Sequence, residues 1–238
     1  MNRGDFPTLA RTGLHAEAEL DGKGMITGIP VELITYIGRP DRFSGAGFMA
    51  DDENIISVLK GDNDLARKLG LTHPQMARPL YHVWNMILQE IKYGKLGRFS
   101  GIQCFFYNGN KITLRAERMK GWQISIFQDE IQGRFDIHVQ RVLTTAERSF
   151  LRGKYSHLSD TQMVELEERI TGLHFSEMAP YYIMRYGFYE GHTSYRADPI
   201  AIAWIFGFKS LEEIEVAFKG KLYDALMQHF TEEASISH

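Results

Sequence analysis

The segment Tyr181–Asp198 holds the densest set of reactive side chains in this sequence: Tyr181, Arg185, Glu190, His192, Tyr195, Arg196 and Asp198. Two guanidiniums suit an anion, because arginine presents a fork of donors to a carboxylate or phosphate. A histidine between a carboxylate and a tyrosine suits proton exchange near neutral pH. The expectation is a site for a polar or anionic small molecule, used for binding or acid–base catalysis. Glu190, His192 and Tyr195 are its candidate catalytic groups, and Tyr181, Arg185, Arg196 and Asp198 its candidate ligand-binding groups. The same residues also admit a closed structural network, with Arg185 or Arg196 paired to Glu190 or Asp198, since buried charges are costly unless paired. A pocket leaves donors aimed at open space, whereas a network closes on itself. Thr193 and Ser194 lie close by, but there is no Gly-x-Ser-x-Gly elbow and no nucleophile is implied.

Two other sets of polar residues compete with this one. Arg78, His82, Asn85 and Gln89 recur at helical spacing and form a secondary polar stripe opposite an apolar face. Lys111, Thr113 and Arg115, with Arg134, Asp136, His138 and Gln140, alternate with apolar residues and should share the polar face of a sheet. Phe105 and Tyr107 are expected on that face too, which would make a stacking platform for nucleic acid. The net charge of −3 argues against nucleic acid as the partner. His73 and His82 fall on opposite sides of one helix, and no zinc-ligand spacing occurs, so no metal site is expected. Gly45-Ala46-Gly47 lacks the rest of a phosphate-binding loop, and no cofactor is evident. The rival to a small-molecule site is a non-enzymatic module that meets a protein partner through the polar sheet face or the C-terminal helices.

The elements that must carry these residues read as follows. Leu14–Leu20 and Val31–Tyr36 alternate as strands around a turn at Asp21–Gly24, followed by a loop over 38–47. Asp62 or Asn63 caps a helix over Asp64–Leu69 that Gly70 ends. Thr72-His73-Pro74-Gln75 opens the next helix, which sets Leu80, Val83, Trp84, Ile87, Leu88 and Ile91 on one face, with a bend or delayed start at Pro79. Ile102–Phe106, Ile112–Ala116, Trp122–Ile126 and Phe135–Val139 alternate in period two, with Asn108-Gly109 as a hairpin turn. They predict an antiparallel meander. From Thr144 onward everything reads as helix, opened by Thr144–Glu147, Ser159–Gln162 and Ser210–Glu213 capping boxes and by Asp198-Pro199.

The fold class expected is α+β: an antiparallel sheet of about four to six strands packed by a central helix and a C-terminal helical array. A single unit spans 1–238, with the sheet in 13–143, helices in 144–230 and loose ends at 1–12 and 231–238. The chain of 238 residues is 44% hydrophobic and 24% charged, ordinary values for a globular protein. The longest apolar run, Ile200–Phe206, is far short of the ~20 residues of a membrane span. With one cysteine, Cys104, and no secretory leader at the N-terminus, the expected location is cytoplasmic.

Overall fold

The computed structural model describes residues 13–15, 24–26, 28–94 and 102–227. Two short strands, β1 (Met25–Ile26) and β2 (Ile29–Pro30), pair antiparallel and lead into helix α1 (Val31–Gly38). Helices α2 (Ile55–Leu69) and α3 (His73–Lys92) follow. Strands β3 (Gln103–Tyr107), β4 (Asn110–Ile124) and β5 (Gln132–Arg141) form the meander. Helices α4 (Thr145–Lys154) and α5 (Asp160–Thr171) then bring the chain back to strand β6 (Gly172–Ser176). Four helices close the described chain: α6 (Ala179–Tyr186), α7 (Pro199–Ile205), α8 (Leu211–Ala217) and α9 (Leu222–Met227). The fold is α+β, with one four-stranded antiparallel sheet in the order β3-β4-β5-β6.

Alternation along the strands sets the two faces of the sheet. Ile112, Leu114 and Ala116 on β4, Phe135, Ile137 and Val139 on β5, and Leu173 and Phe175 on β6 are all buried. All but Phe135 join one apolar cluster with Leu80, Val83 and Ile87 of α3 and with Ile200–Ile205 of α7. A second cluster gathers Ile34 and Ile37 of α1, Ile55 and Leu59 of α2, and Phe127, Tyr182, Tyr186 and Phe188. There the Phe127 and Tyr186 rings stack 3.8 Å apart. The opposite face of the sheet carries cross-strand rows of polar residues: Arg115 faces His138, which faces His174, and Glu117 faces Asp136, which faces Ser176.

The helix signals act as expected. Thr72, Thr144, Ser159 and Ser210 each accept from the amide three residues on, with Gln75, Glu147, Gln162 and Glu213 reaching back. Asp198 accepts from the amides of Ile200 and Ala201 at 2.7 and 3.4 Å and so caps α7. Among the described residues no helix is long and apolar enough to cross a membrane.

Five expectations are corrected. Val31–Tyr36 is not a strand but most of α1, whose buried residues Val31, Ile34, Thr35 and Gly38 follow helical spacing. Its β-branched residues imitate alternation, while Pro30 just before it suits a helix start. Asp62 and Asn63 cap nothing: α2 is capped well before them at Asn54, whose capping box with Ser57 draws the start of the helix there. Helix α3 starts at His73 with Pro79 inside it, so of the two alternatives at Pro79 the delayed start is excluded. Ile112–Ala116 and Trp122–Ile124 lie on one long strand, β4, whose register breaks between Arg118 and Gln123. Lastly, the C-terminal part is not all helix, because Gly172–Ser176 completes the sheet. The strand expected over Leu14–Leu20, the turn at 21–24 and both termini lie mostly outside the described residues.

The expected faces of β3 are also exchanged. Phe105 is buried opposite Ile112, and Phe106 is 71% exposed on the other side. A run of Cys104-Phe105-Phe106-Tyr107 is apolar on both faces, so alternation alone could not choose between them.

Candidate functional site

The residues from Glu190 to Asp198 form a tight loop between α6 and α7, laid against the polar face of β5 and β6. The Arg196 and Thr193 backbones hold it closed, with Thr193 N–H donating to Gly191 O at 2.7 Å and Arg196 N–H to Thr193 O at 3.2 Å. At its centre Arg196 is almost wholly buried. Its guanidinium donates to Asp62 Oδ1 at 2.6 Å and to the Glu190 carbonyl at 2.5 Å. Asp198 Oδ2 stands 3.7 Å from Arg196 Nε, which has no hydrogen-bond acceptor among the described residues. Burial lifts the Asp62 carboxyl to about 6, held back by the Arg196 charge and the hydrogen bonds from Arg196 and the Tyr189 amide.

Glu190 is the other buried carboxyl. It sits at φ 65°, a conformation that costs a side-chain-bearing residue energy and persists only where the surroundings enforce it. Ser176 Oγ donates to Glu190 Oε1 at 3.3 Å. Burial, aided by the Asp136 charge, raises its pKa to about 8 against the pull of Ser176, Thr193 and Arg196. Glu190 therefore keeps a proton at neutral pH in the folded chain. Its folded pKa lies above the ordinary value of 4.5, so its stabilising contribution is complete below that value and is lost as pH rises through about 8. Glu190→Gln, which is neutral at every pH, is expected to melt several degrees above the native chain at pH 9 and much closer to it at pH 5. Parallel melting curves of the two proteins across that range would refute this.

His192 points away from this network. Its Nδ1 meets Glu53 Oε1, and its amide donates to Glu53 Oε2 at 2.9 Å. Burial pushes the Glu53 carboxyl up, but hydrogen bonds from His192 and the Ala50 amide outweigh it and leave the pKa lowered. Gly191 makes the contact possible: a Cβ there would overlap the Glu53 carboxylate and lie 2.9 Å from Met49 Cα. Tyr181 and Arg185 stand further off on α6, where Tyr181 and Tyr186 both donate to Asp129 Oδ2, at 2.8 and 2.5 Å. The seven candidates are thus divided among several settings. Arg196 and Asp198 adjoin one cavity, Tyr195 forms a partition beside it, Glu190 lies buried behind, His192 and Tyr181 serve other contacts, and Arg185 lies apart on α6. Of the secondary stripe, His82 packs against Phe105 and Tyr107 at 5.8 Å from each ring, at the edge of the sheet.

The cavity has a volume of about 370 Å³. One wall is the loop, through Thr193, Ser194, Arg196 and Asp198; the other is the sheet edge, through His138, Gln140 and His174, with Arg169 of α5 at the side. His138 and His174 are cross-strand partners whose rings stack 4.0 Å apart at 10°. Burial lowers the His138 pKa, and the His174 ring beside it lowers it further. Asp136 lies 3.8 Å from His174 Nε2 and accepts from the Tyr195 hydroxyl at 3.1 Å, while the Tyr195 ring lies 4.4 Å from that of His174.

No family model matches the chain, and neither a curated protein nor a solved structure resembles it significantly. The arrangement of its own residues must therefore carry the functional argument. Sequence reasoning placed Asp136 and His138 on the polar sheet face but did not join that face to the 190–198 loop. It missed His174 altogether, although Leu173 and Phe175 flank it in period two directly after Gly172. It also missed Glu53, Asp62 and Arg169. Among the described residues, no three histidine, cysteine, aspartate or glutamate side chains are placed to hold a metal ion.

Proposed function

We propose that this protein binds a small anionic or polar molecule in the cleft between the 190–198 loop and the β5–β6 edge, with His138 and His174 as its proton-exchanging groups. The observation that carries the reading is the meeting, along one cavity of about 370 Å³, of two stacked imidazoles with Arg169, Arg196, Thr193 and Ser194. The Arg169 guanidinium also pairs with Glu165 at 3.1 Å, and that of Arg196 with Asp62 at 2.6 Å. Cavities of roughly 300–1,000 Å³ with a few convergent polar groups are the usual form of small-ligand sites. Burial and the neighbouring His174 ring both oppose a charge on His138, so its protonated form calls for a counter-charge. An anion beside them favours the protonated form and draws the proton in. Tyr195 and Asp136 act on His174 from behind, Asp136 as the carboxylate nearest its Nε2. Glu190 serves as a neutral, buried support of the loop, and His192 as its anchor to Glu53.

The exposed thiol of Cys104 suits a reducing compartment, which supports a cytoplasmic location. The experiment is calorimetric titration with inorganic phosphate and with succinate, on the native chain and on His174→Gln and Arg169→Gln. At least one of the two anions is expected to bind, with affinity falling about ten-fold or more in each variant, since a hydrogen bond to a charged group contributes roughly 1.5–3 kcal/mol. Both side chains are partly exposed, so the melting temperature should change little. Binding of neither anion to the native chain, or equal binding by all three proteins, would refute the reading.

A further inference from the structure

We propose a second ligand site on the other side of the Tyr195–Asp136 partition, one that takes a planar aromatic ring bearing an anionic group. It does not rest on the reading of the histidine cleft. A cavity of about 560 Å³ opens between the 43–46 loop and the region where β4 leaves its partner. Pairing of β4 with β5 stops at Arg118 opposite Phe135 and resumes at Gln123 opposite Gly133, so Met119–Trp122 arches away from the sheet. Strand irregularities of this kind re-aim side chains beside binding sites.

The arch turns Trp122 into the cavity wall while leaving it 56% exposed. The loop that carries Phe43 lines the same cavity and is tied to the strand by Gln123 Nε2 donating to Ser44 Oγ at 3.2 Å. That loop can fold back only with glycine at 47: the residue sits at φ 70°, and a Cβ would come within 2.6 Å of Pro40 N. Two aromatic residues, Phe43 and Trp122, thus line a cavity whose size suits a small ligand.

Charged residues of both signs line it: Arg118, Lys120 and Arg134, with Glu117 and Asp136. Arg134 lies with its guanidinium carbon 4.5 Å from the Trp122 ring centroid. Stacking uses the face of a guanidinium and leaves the N–H edge in plane, where it can grip an anion. Arg118 and Lys120 line the same cavity, and Asp136 in its wall accepts from the Tyr195 hydroxyl. A ring held by Trp122 and Phe43 would set its anionic group among Arg118, Lys120 and Arg134. An indole offers a flat ring a stacking face, and the arginine beside it offers an anion a fork of donors.

The test is ¹H–¹⁵N NMR of the native chain, whose three tryptophans give three indole N–H signals. Trp122→Leu assigns the signal of Trp122 and, at an exposed position, should leave the fold intact. Two probes join a flat ring to an anion, 2-naphthoate and adenosine 5′-monophosphate; adenosine is the uncharged control. At least one anionic probe is expected to shift the Trp122 signal saturably, with binding at least ten-fold weaker for adenosine or for 2-naphthoate's amide, and about ten-fold weaker in Arg134→Gln. The proposal is overturned if neither anionic probe moves that signal, if the uncharged compounds bind equally well, or if Arg134→Gln changes nothing. A probe that perturbs only the His138 and His174 imidazoles overturns it too, while leaving the histidine cleft standing.

Discussion

Trp204→Ala is expected to remove about 3–5 kcal/mol of stability, the usual loss when a large aromatic side chain is deleted from a core. For a chain of this size, at about 2–4 °C per kcal/mol, that is a fall in melting temperature of roughly 6–20 °C. Trp204 is completely buried in α7, where every described neighbour along the helix is buried as well. Its removal breaks more than apolar contact. The indole N–H donates to Glu147 Oε1 at 3.2 Å, and the Arg141 guanidinium carbon lies 4.0 Å from the ring centroid. Arg141 in turn donates to the Trp204 carbonyl at 2.6 Å and pairs with Glu147 at 2.5 Å. The indole is therefore the apolar floor of a polar triad at the junction of β5, α4 and α7. Trp204→Phe keeps the ring contact and loses the donor, so it should fall between the native chain and Trp204→Ala. Thermal melts of the three proteins in that order support this account, and an unchanged melting temperature in Trp204→Ala contradicts the burial on which it stands.

Breaking the Arg196–Asp62 pair from one side should cost nearly as much. Arg196→Gln leaves the Asp62 carboxylate buried without its counter-charge, and losses of about 3–5 kcal/mol are typical when one partner of a buried pair is removed. Asp62→Asn alone leaves the guanidinium with the more distant Asp198 carboxylate, 3.7 Å from its Nε, as counter-charge. The double variant strands neither charge, and the carboxamide introduced by Asp62→Asn can still accept from the Tyr189 amide, which donates to Asp62 Oδ2 at 3.1 Å in the native chain. The double change is therefore expected to be less destabilising than the sum of the single ones by about 2 kcal/mol or more, within the range of coupling between contacting residues. Denaturant unfolding of the four proteins gives this coupling directly. Strictly additive losses would mean that the pair is not closed as the 2.6 Å contact implies.

The parts of the fold that could be read from sequence are those whose signals are local. Capping boxes at Thr72, Thr144, Ser159 and Ser210 fix helix starts within a single turn of chain, and each of them is realised. Alternation in β4 and β5 likewise reports a neighbour-independent geometry, with one face buried. What escaped was set by partners far along the chain. Strand β6 is short and is preceded by a helix, so its identity depends on β5, which is separated from it in sequence by both α4 and α5. Helix α1 carries several β-branched residues and shares a buried cluster with α2 and Phe127, a setting that its own residues do not announce. The candidate site shows the same division. Segment 181–198 was recognisable from its unusual density of polar and aromatic groups, and Arg196 and Asp198 do adjoin a cavity. Yet the partners that give these residues their settings are Asp62, Glu53, Asp136, His138 and His174. They come from α2 and its approach, from β5 and from β6, and no spacing links them.

The claim that the histidine cleft binds an anion and gains a proton as it does so is tested most directly by NMR titration of the imidazole signals of His138 and His174. The measurement follows each ring from pH 5 to 9, first in the absence and then in the presence of inorganic phosphate or succinate. In the free protein His138 is expected to titrate below its ordinary value, because burial and the neighbouring His174 ring both oppose its charge. With a bound anion its titration midpoint should rise, by about one unit for each ~1.4 kcal/mol of added interaction with the charged form. Arg169→Gln should weaken that response at a given concentration of anion. Midpoints that stay fixed for both rings as either anion is raised to saturating concentrations would contradict the account, whatever binding occurs elsewhere on the protein.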